Sequence, residues 1–451
     1  MVLYVVALAV SPFYSRPCPQ DGGTGAVARL AAAADGKWHN NGSASSTSVT
    51  RLPPPKARPK PKHSADDDAA PTGLRHIVFG IGASSSLWKS RREYIRVWWR
   101  PGKMRGFVWL DKPVPELYSR NASSGLPGIK ISANTSSFRL GLPGVRWFVM
   151  GDDDTVFFPD NLADVLSQYD HTQPYYIGNP SESHIQNLIF SYGMAFGGGG
   201  FTISAALAAQ LARMQDGCIE RYPALYGSDD RIHACMSELG VPLTRHPGFH
   251  QCDLWGDVLG LLGAHPVAPL VSLHHFDFLQ PVFPTVRSRT QALRRLFAGP
   301  VALDPAAVAQ QSVCYDAGKE WTVSVSWGFA VVVIRGVLSP REMEAPMRTF
   351  LNWPQVYYMR QARLERRWRN RNTTTVTEYE RHRVPPAPCR WRIPDPAALL
   401  DRVVVLKKPD PELWKRAPRR NCCRVVSSPT VGKDRRMTID VGVCRDSVSS
   451  F

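Results

Sequence analysis

The sequence predicts an α/β fold of the nucleotide-binding kind, and three stretches carry that prediction. An apolar run, His76 to Ile81, passes through a Gly/Ser loop into Leu87 to Trp99, which has helical spacing. Strand, loop and helix in that order open such folds. A second buried run, Val145 to Met150, leads straight into Gly151-Asp152-Asp153-Asp154. That puts acidic side chains at the carboxyl end of a strand, where α/β sheets face their ligands. Beyond about Pro284 the periodicity turns to two, clearest in Trp321 to Trp327, so a smaller β-rich C-terminal module is expected there.

Up to about Thr72 the chain is Ala/Gly/Ser-rich, then Pro/Lys-rich, then acidic. Such a composition buries no core and reads as a disordered stem or linker. Order begins at Arg75. In the first helix Leu87, Tyr94, Ile95, Trp98 and Trp99 share one broad apolar face, and Ser85 or Ser86 is placed to cap it. Phe107 to Leu110, ending in Asp111, reads as the second strand, and Asn121 to Ser137 is polar and rich in Gly, Ser and Asn. After the acidic triplet come a helix over Asn161 to Tyr169 and a short strand at Tyr175 to Gly178. The glycines Gly197 to Gly200 then precede a strand starting at Phe201 and a helix over Ala205 to Met214. Ser228-Asp229-Asp230 opens another helix, Arg231 to Leu239, and His274-His275 follows the apolar run Pro269 to Leu273. Phe329 to Ile334 and Arg402 to Leu406 add β runs. The expected limits are 1–72 for the stem, 73–290 for the α/β domain, 291–424 for the C-terminal module and 425–451 for a tail.

Of the 451 residues, 43% are hydrophobic and 21% charged, a globular composition. The excess of 55 Lys+Arg over 38 Asp+Glu gives a net charge of +17. Much of it lies in runs, Arg51 to Lys62, Arg363 to Arg371 and Lys407 to Arg420, of the kind that form solvated loops. No zinc-finger spacing, homeodomain helix or RNA-binding aromatic signature accompanies them, so no nucleic-acid partner is expected. Nine cysteines are too few for a disulfide scaffold. Cys218, Cys235 and Cys252 read equally as buried small apolar residues or as one disulfide plus a free thiol. Sequons at Asn41, Asn121, Asn134 and Asn372 permit a secretory compartment. Met1 to Val10 is apolar but stops at Ser11-Pro12, with Arg16 close behind. That is short of the ~20 residues of a spanning helix and lacks the basic start of a signal peptide, so no anchor is read there.

Three adjacent carboxylates, Asp152, Asp153 and Asp154, repel one another and raise their own pKa values unless a cation sits among them. Hard oxygen ligands suit Mg²⁺ or Mn²⁺ bridging a diphosphate, while an acidic turn capping the next helix is the plain alternative. A divalent ion turns a nucleoside diphosphate into a leaving group, and an inverting transfer then needs one base near the acceptor hydroxyl. Asp230, in a second carboxylate pair with Asp229, is the candidate base or an N-terminal helix cap. The glycines, Gly198 and Gly199 among them, allow close approach of backbone to a ligand or form a flexible loop. His274 or His275 offers a nitrogen ligand to the same metal, or is structural.

In order, these segments resemble the fringe and β-1,3-galactosyltransferase superfamily, and more closely its plant fringe-like branch. Arg91 to Trp99 resembles that family's R-R-x-x-I-R-x-x-W helix, and Trp147 to Asp154 its W-[FY]-x-x-x-D-D-D metal strand. Tyr176 to Pro180 is similar to Y-[LI]-G-x-P, and Phe196 to Ser204 to G-G-[AG]-G-F-x-I-S. Asp229-Asp230 matches the family's D-D or E-D pair, and His274 or His275 its late metal-binding His. The likeness runs from about Arg75 to Pro284, and its plant-type tail continues toward Arg424.

The resemblance implies a GT-A fold, a Rossmann-like mixed sheet flanked by helices. It implies an inverting, metal-dependent hexosyltransferase that moves a sugar from a UDP-sugar to a glycan or glycoconjugate hydroxyl, forming a β-1,3 linkage. Asp154 is then the principal metal ligand, with Asp152 and one of His274 and His275 beside it. Asp152 and Asp153 contact the ribose or metal-bound water, Arg92, Gly198 and Gly199 face the nucleotide sugar, and Asp230 is the base. The implied ion is Mn²⁺, or Mg²⁺, and the implied setting is the Golgi lumen, as a single-pass membrane glycoprotein. Members of this branch start with a longer apolar anchor than Met1 to Val10, and carry a longer segment with a helix where Asn121 to Ser137 stands. A metal-dependent phosphoesterase would need more His and Asp ligands close together. A transferase-derived carbohydrate-binding or scaffold protein without turnover is the stronger rival, favoured by the short Asn121–Ser137 segment and opposed by Asp230.

Overall fold

The computed structural model describes residues 70–115, 125–131, 141–345, 354–366, 373–383, 392–430 and 435–444. All but the end of the expected stem lies outside these residues, as do the sequons at Asn41, Asn121, Asn134 and Asn372. Strand β1 (Ile77–Ala83) is apolar on both faces and its first five residues are buried, the mark of a strand covered on both sides. It is followed by the helix Trp88–Trp98 and by β2 (Arg105–Leu110) and β3 (Gly128–Ile131). Then come β4 (Trp147–Asp152), β5 (Val156–Phe157), β6 (Tyr176–Gly178), β7 (Phe201–Ser204), β8 (Leu243–Arg245) and β9 (Ser272–Leu273).

Seven of these strands form one sheet in the order β3-β2-β1-β4-β7-β6-β8. Pairing is parallel from β3 to β4, antiparallel on both sides of β7, and parallel again between β6 and β8. This is the expected mixed sheet. The chain runs outward from β1 to β3 and returns to β4 on the other side of β1, so the crevice at the carboxyl ends of β1 and β4 is a topological switch point.

The β-rich module is also present. It holds β10 (Gln311–Asp316), β11 (Trp321–Ser326), β12 (Ala330–Arg335), β13 (Gln355–Arg366), β14 (Thr373–Arg381), β15 (Arg402–Lys407), β16 (Cys422–Ser427) and β17 (Arg436–Gly442). They form a second sheet in the order β10-β11-β12-β13-β14-β15-β17-β16. A disulfide joins Cys314 on β10 to Cys423 on β16, the first and last strands of that order, so the sheet curls until its two edge strands meet. Strand β17 lies in the stretch expected as a tail. It pairs with both β15 and β16, and its alternating Met437, Ile439 and Val441 are buried. One cluster of buried side chains runs from Phe79 and Trp98 to Tyr357, Val403 and Ile439, so the two sheets share a core across the boundary expected at 290–291.

Several local expectations change. The first helix begins at Trp88 with Leu87 as its N-cap and no side-chain cap bond, so neither Ser85 nor Ser86 caps it; Ser86 Oγ meets Ser84 Oγ (2.8 Å) and the Ser85 N–H donates to Asp111. Leu87 is exposed, while Tyr94, Ile95, Trp98 and Trp99 are buried. The helix expected from Asn161 starts at Pro159, a residue whose fixed φ and missing N–H suit a first turn. Inside the polar segment Asn121 to Ser137, Gly128 to Ile131 form the sheet's edge strand. The helix Ala205–Arg221 outruns its expected end and carries Cys218 to a disulfide with Cys235, leaving Cys252 a buried free thiol. A further disulfide joins Cys422 and Cys444.

Candidate metal and catalytic site

The acidic triplet is shaped by a tight turn at the end of β4. The Asp152 N–H donates to Thr155 Oγ1 (2.8 Å) and the Thr155 N–H donates back to the Asp152 carbonyl (3.0 Å). Trp98, from the first helix, donates its indole N–H to the Thr155 carbonyl (3.1 Å). Past the turn, β5 pairs with β9, Val156 opposite Leu273. That pairing delivers His274, 120 residues further along the chain, to the side of Asp154.

Asp152, Asp154 and His274 offer ligand atoms that all lie within 4.8 Å of one another. His274 Nε2 is 3.1 Å from Asp154 Oδ1 and 3.8 Å from Asp152 Oδ2. Its Nδ1 lies 3.2 Å from the Gln251 carbonyl, which accepts that ring's N–H and leaves Nε2 facing the carboxylates. Asp154 is buried, and its Oδ2 has no hydrogen-bond partner among the described residues. A buried carboxylate oxygen without a donor is costly, and a cation between these side chains would complete it. Two carboxylates and an imidazole suit Mn²⁺ or Mg²⁺.

The other candidates fall elsewhere. His275 has φ 60°, and its Nδ1 turns to Asp253 (3.1 Å), so its ring stacks beside that of His274 without joining the cluster. Asp153 points toward β1, accepting from the Ser84 N–H (3.3 Å) and from Arg91 (2.8 Å). Arg91 reaches the carboxylates, meeting Asp154 at 3.2 Å and Asp277 at 2.7 Å. Arg92 does not: its Nε is buried and lacks a partner among the described residues. Arg91, Tyr94 and Trp98 stand at i, i+3 and i+7, so one helix face supplies a cation, a phenol bonded to Asp277 and the indole that pins the turn. That spacing is the signal that separates Arg91 from its neighbour. Gln251, Asp277 and Thr155 carry no motif and emerge only from the fold.

The charges are interlocked. Burial would raise Asp154, but His274 and then Arg91 hold its carboxyl below the usual range. Asp153 is raised, because burial outweighs Arg91. Crowding in the cleft pushes Asp152 up to about 7: desolvation leads, the carboxylates of Asp229, Asp154 and Asp153 add to it, and His274 opposes. Its side chain is still 51% exposed at the cleft mouth, so solvent tempers that shift. His274 is raised, since Asp154 and Asp152 overcome the burial that would lower it.

The glycine run is a held turn. The Gly197 N–H donates to Asp229 (2.8 Å), the Gly199 N–H to Gln251 Oε1 (2.6 Å), and Thr155 Oγ1 donates to the Gly198 carbonyl (2.7 Å). A Cβ on Gly198 would sit 2.1 Å from His274 Cε1, so the missing side chain makes room for the imidazole itself. Gly198→Ala is therefore expected to displace His274 and abolish Mn²⁺ binding in a folded protein, read by electron paramagnetic resonance (EPR) titration beside circular dichroism. Wild-type affinity in that variant would show that the ring has other room.

The same contacts sort the second acidic pair. The helix Gly227–Glu238 starts before both aspartates, and its N-cap, Tyr226, makes no side-chain cap bond. Asp229 ties the helix to the glycine turn. Asp230 is half-buried in the first turn of that helix, where its carboxylate acts on His233.

A family model described as "Protein of unknown function, DUF604" matches residues 186–357 and 354–423. A β-1,3-glucosyltransferase of Mus musculus is 32% identical over 141 residues, 31% of this chain and 27% of that protein. The β-1,3-N-acetylglucosaminyltransferase lunatic fringe of Danio rerio is 27% identical over 225 residues, 43% of this chain and 59% of that protein. The chain thus spans between about a quarter and three fifths of the length of these curated relatives. Among solved structures, the glycosyltransferase GlyE in Streptococcus pneumoniae TIGR4 aligns at 10% identity over 38% of this chain and 44% of its own, with a TM-score of 0.26, too low to bear on the fold.

Proposed function

This chain belongs to the family described as protein of unknown function, DUF604, and we propose that it is an inverting, metal-dependent glycosyltransferase of the GT-A type. The donor is a UDP-sugar, the acceptor a hydroxyl of a glycan or glycoconjugate, and the new linkage β-1,3. One observation carries the reading. At the carboxyl end of β4, Asp152, Asp154 and His274 converge on one point, and a buried carboxylate oxygen there lacks a donor among the described residues. Similarity to proteins named as β-1,3-transferases supports the reaction class.

Asp152, Asp154 and His274 would hold Mn²⁺. Bound there, the ion neutralises charge on the departing diphosphate. Arg91 fixes Asp153 and Asp154, and Trp98 and Thr155 hold the turn that aims them. Asp230 takes the proton of the acceptor hydroxyl as that oxygen attacks the anomeric carbon and the bond to UDP breaks. The disulfides at Cys218–Cys235, Cys314–Cys423 and Cys422–Cys444 suit an oxidising compartment, in keeping with the Golgi lumen. Among the described residues no helix is long and apolar enough to cross a membrane.

A screen of UDP-sugars with the full chain, measuring UDP release with Mn²⁺ and with EDTA, tests the reading. One donor is expected to give Mn²⁺-dependent release that increases with an acceptor glycan. Metal binding needs deprotonated ligands, so release should rise with pH as Asp152, held above the usual carboxylate range in the metal-free protein, loses its proton. Release that is metal-independent, or absent for every donor, would overturn the assignment.

A further inference from the structure

We propose that Glu182 is a positioning residue for the metal-binding imidazole, acting through the backbone of residues 250–252 on His274. Its carboxylate lies just past β6 and is only 16% exposed. Oε1 accepts from His250 Nδ1 (2.9 Å), and Oε2 accepts from the Cys252 N–H (2.7 Å). Those two partners flank Gln251. Gln251 in turn holds both halves of the site: its carbonyl accepts the His274 Nδ1 proton, and its side chain accepts the Gly199 N–H. One carboxylate therefore brackets the residue that fixes the His274 tautomer and the glycine turn.

The bracket is anchored from behind. His265 Nδ1 donates to the Pro266 carbonyl (2.8 Å), so its Nε2 is an acceptor, 2.9 Å from His250 Nε2. The network closes when His250 donates from both ring nitrogens, one toward His265 and one toward Glu182. Burial pushes His265 well below its usual pKa, which suits a neutral acceptor. His250 is 3% exposed, and removing its carboxylate partner would leave a buried ring N–H without an acceptor. Next door, Ser181 Oγ donates to Asp253 (2.5 Å), so three hydrogen bonds tie the segment 181–182 to the 250–253 loop.

A ligating imidazole owes its orientation to the acceptor on its other nitrogen, and loss of such a partner weakens metal binding roughly 10–100-fold. The inference rests on the metal site proposed above, and Mn²⁺ alone, added to the full chain, separates the two. Wild type, Glu182→Gln and Glu182→Ala would be titrated by EPR, with thermal unfolding recorded beside each. Gln keeps the size and still accepts from the Cys252 N–H, but meets His250 with an N–H₂ in place of an acceptor, so that tie holds only when the His250 ring gives up its Nδ1 proton. Expected are a Mn²⁺ affinity weakened by up to the roughly 10–100-fold of a lost imidazole partner in Glu182→Ala, a smaller loss in Glu182→Gln, and a reduced nitrogen modulation in the pulsed EPR of bound Mn²⁺. Wild-type affinity and modulation in both variants would overturn the proposal, even with a lowered unfolding temperature, since Glu182 would then serve the fold alone. Failure of wild type itself to bind Mn²⁺ would remove the metal site and this proposal together. If Glu182→Ala does not fold, Glu182→Gln decides.

Discussion

Asp154→Ala is expected to abolish Mn²⁺-dependent UDP binding while leaving the protein folded. Asp154 stands at the centre of the cluster, with Oδ1 shared between His274 and Arg91 and Oδ2 open to a cation. Losing it removes a direct ligand, so the drop in metal affinity should exceed the roughly 10–100-fold that follows from losing an outer hydrogen-bond partner. The fold should tolerate the change for two reasons. Arg91 keeps Asp153 and Asp277 as partners, and one of three crowded carboxylates disappears, which relieves like-charge repulsion. Calorimetry of UDP with Mn²⁺ and with EDTA reads the outcome. Unchanged, metal-independent UDP binding in the variant would remove the cluster from the donor site.

Asp230→Asn is expected to cut sugar transfer by roughly 10²–10⁴-fold, the range for a lost general base, with folding and Mn²⁺-dependent UDP binding retained. Asparagine keeps the size of the side chain but does not accept the acceptor's proton. The helix Gly227–Glu238 has Tyr226 as its N-cap with no side-chain cap bond, and Asp230 lies inside the first turn, so the variant loses a first-turn charge but no cap bond. Asp229→Asn should cost less, since an amide oxygen still accepts from the Gly197 N–H. Single-turnover rates at saturating donor separate the two variants. Near wild-type transfer in Asp230→Asn would place the base elsewhere, and an unfolded variant would return Asp230 to a structural role.

Much of this protein is local in origin, and the sequence determines it. The apolar run of β1, the Gly/Ser loop and the helical spacing after it specify the opening unit, because periodicity and turn residues act over a few neighbours. The acidic triplet is set at a strand end by the same local logic, and the period-two runs mark the C-terminal sheet. What the tertiary structure alone decides are contacts between segments far apart in the chain. The pairing of β5 with β9 selects His274 over His275, because adjacent residues at a strand end point different ways and only one ring faces Asp154. Helical geometry turns Arg91 to the carboxylates and Arg92 aside. The glycines make room for His274 and donate their N–H groups to Asp229 and Gln251, a role invisible until distant loops meet. Packing likewise draws β17 into the C-terminal sheet and joins both sheets in one core. Short-range pattern dictates elements, but a site is a set of distances between them, and those are fixed by burial of a shared apolar core and by the pairing of buried polar groups.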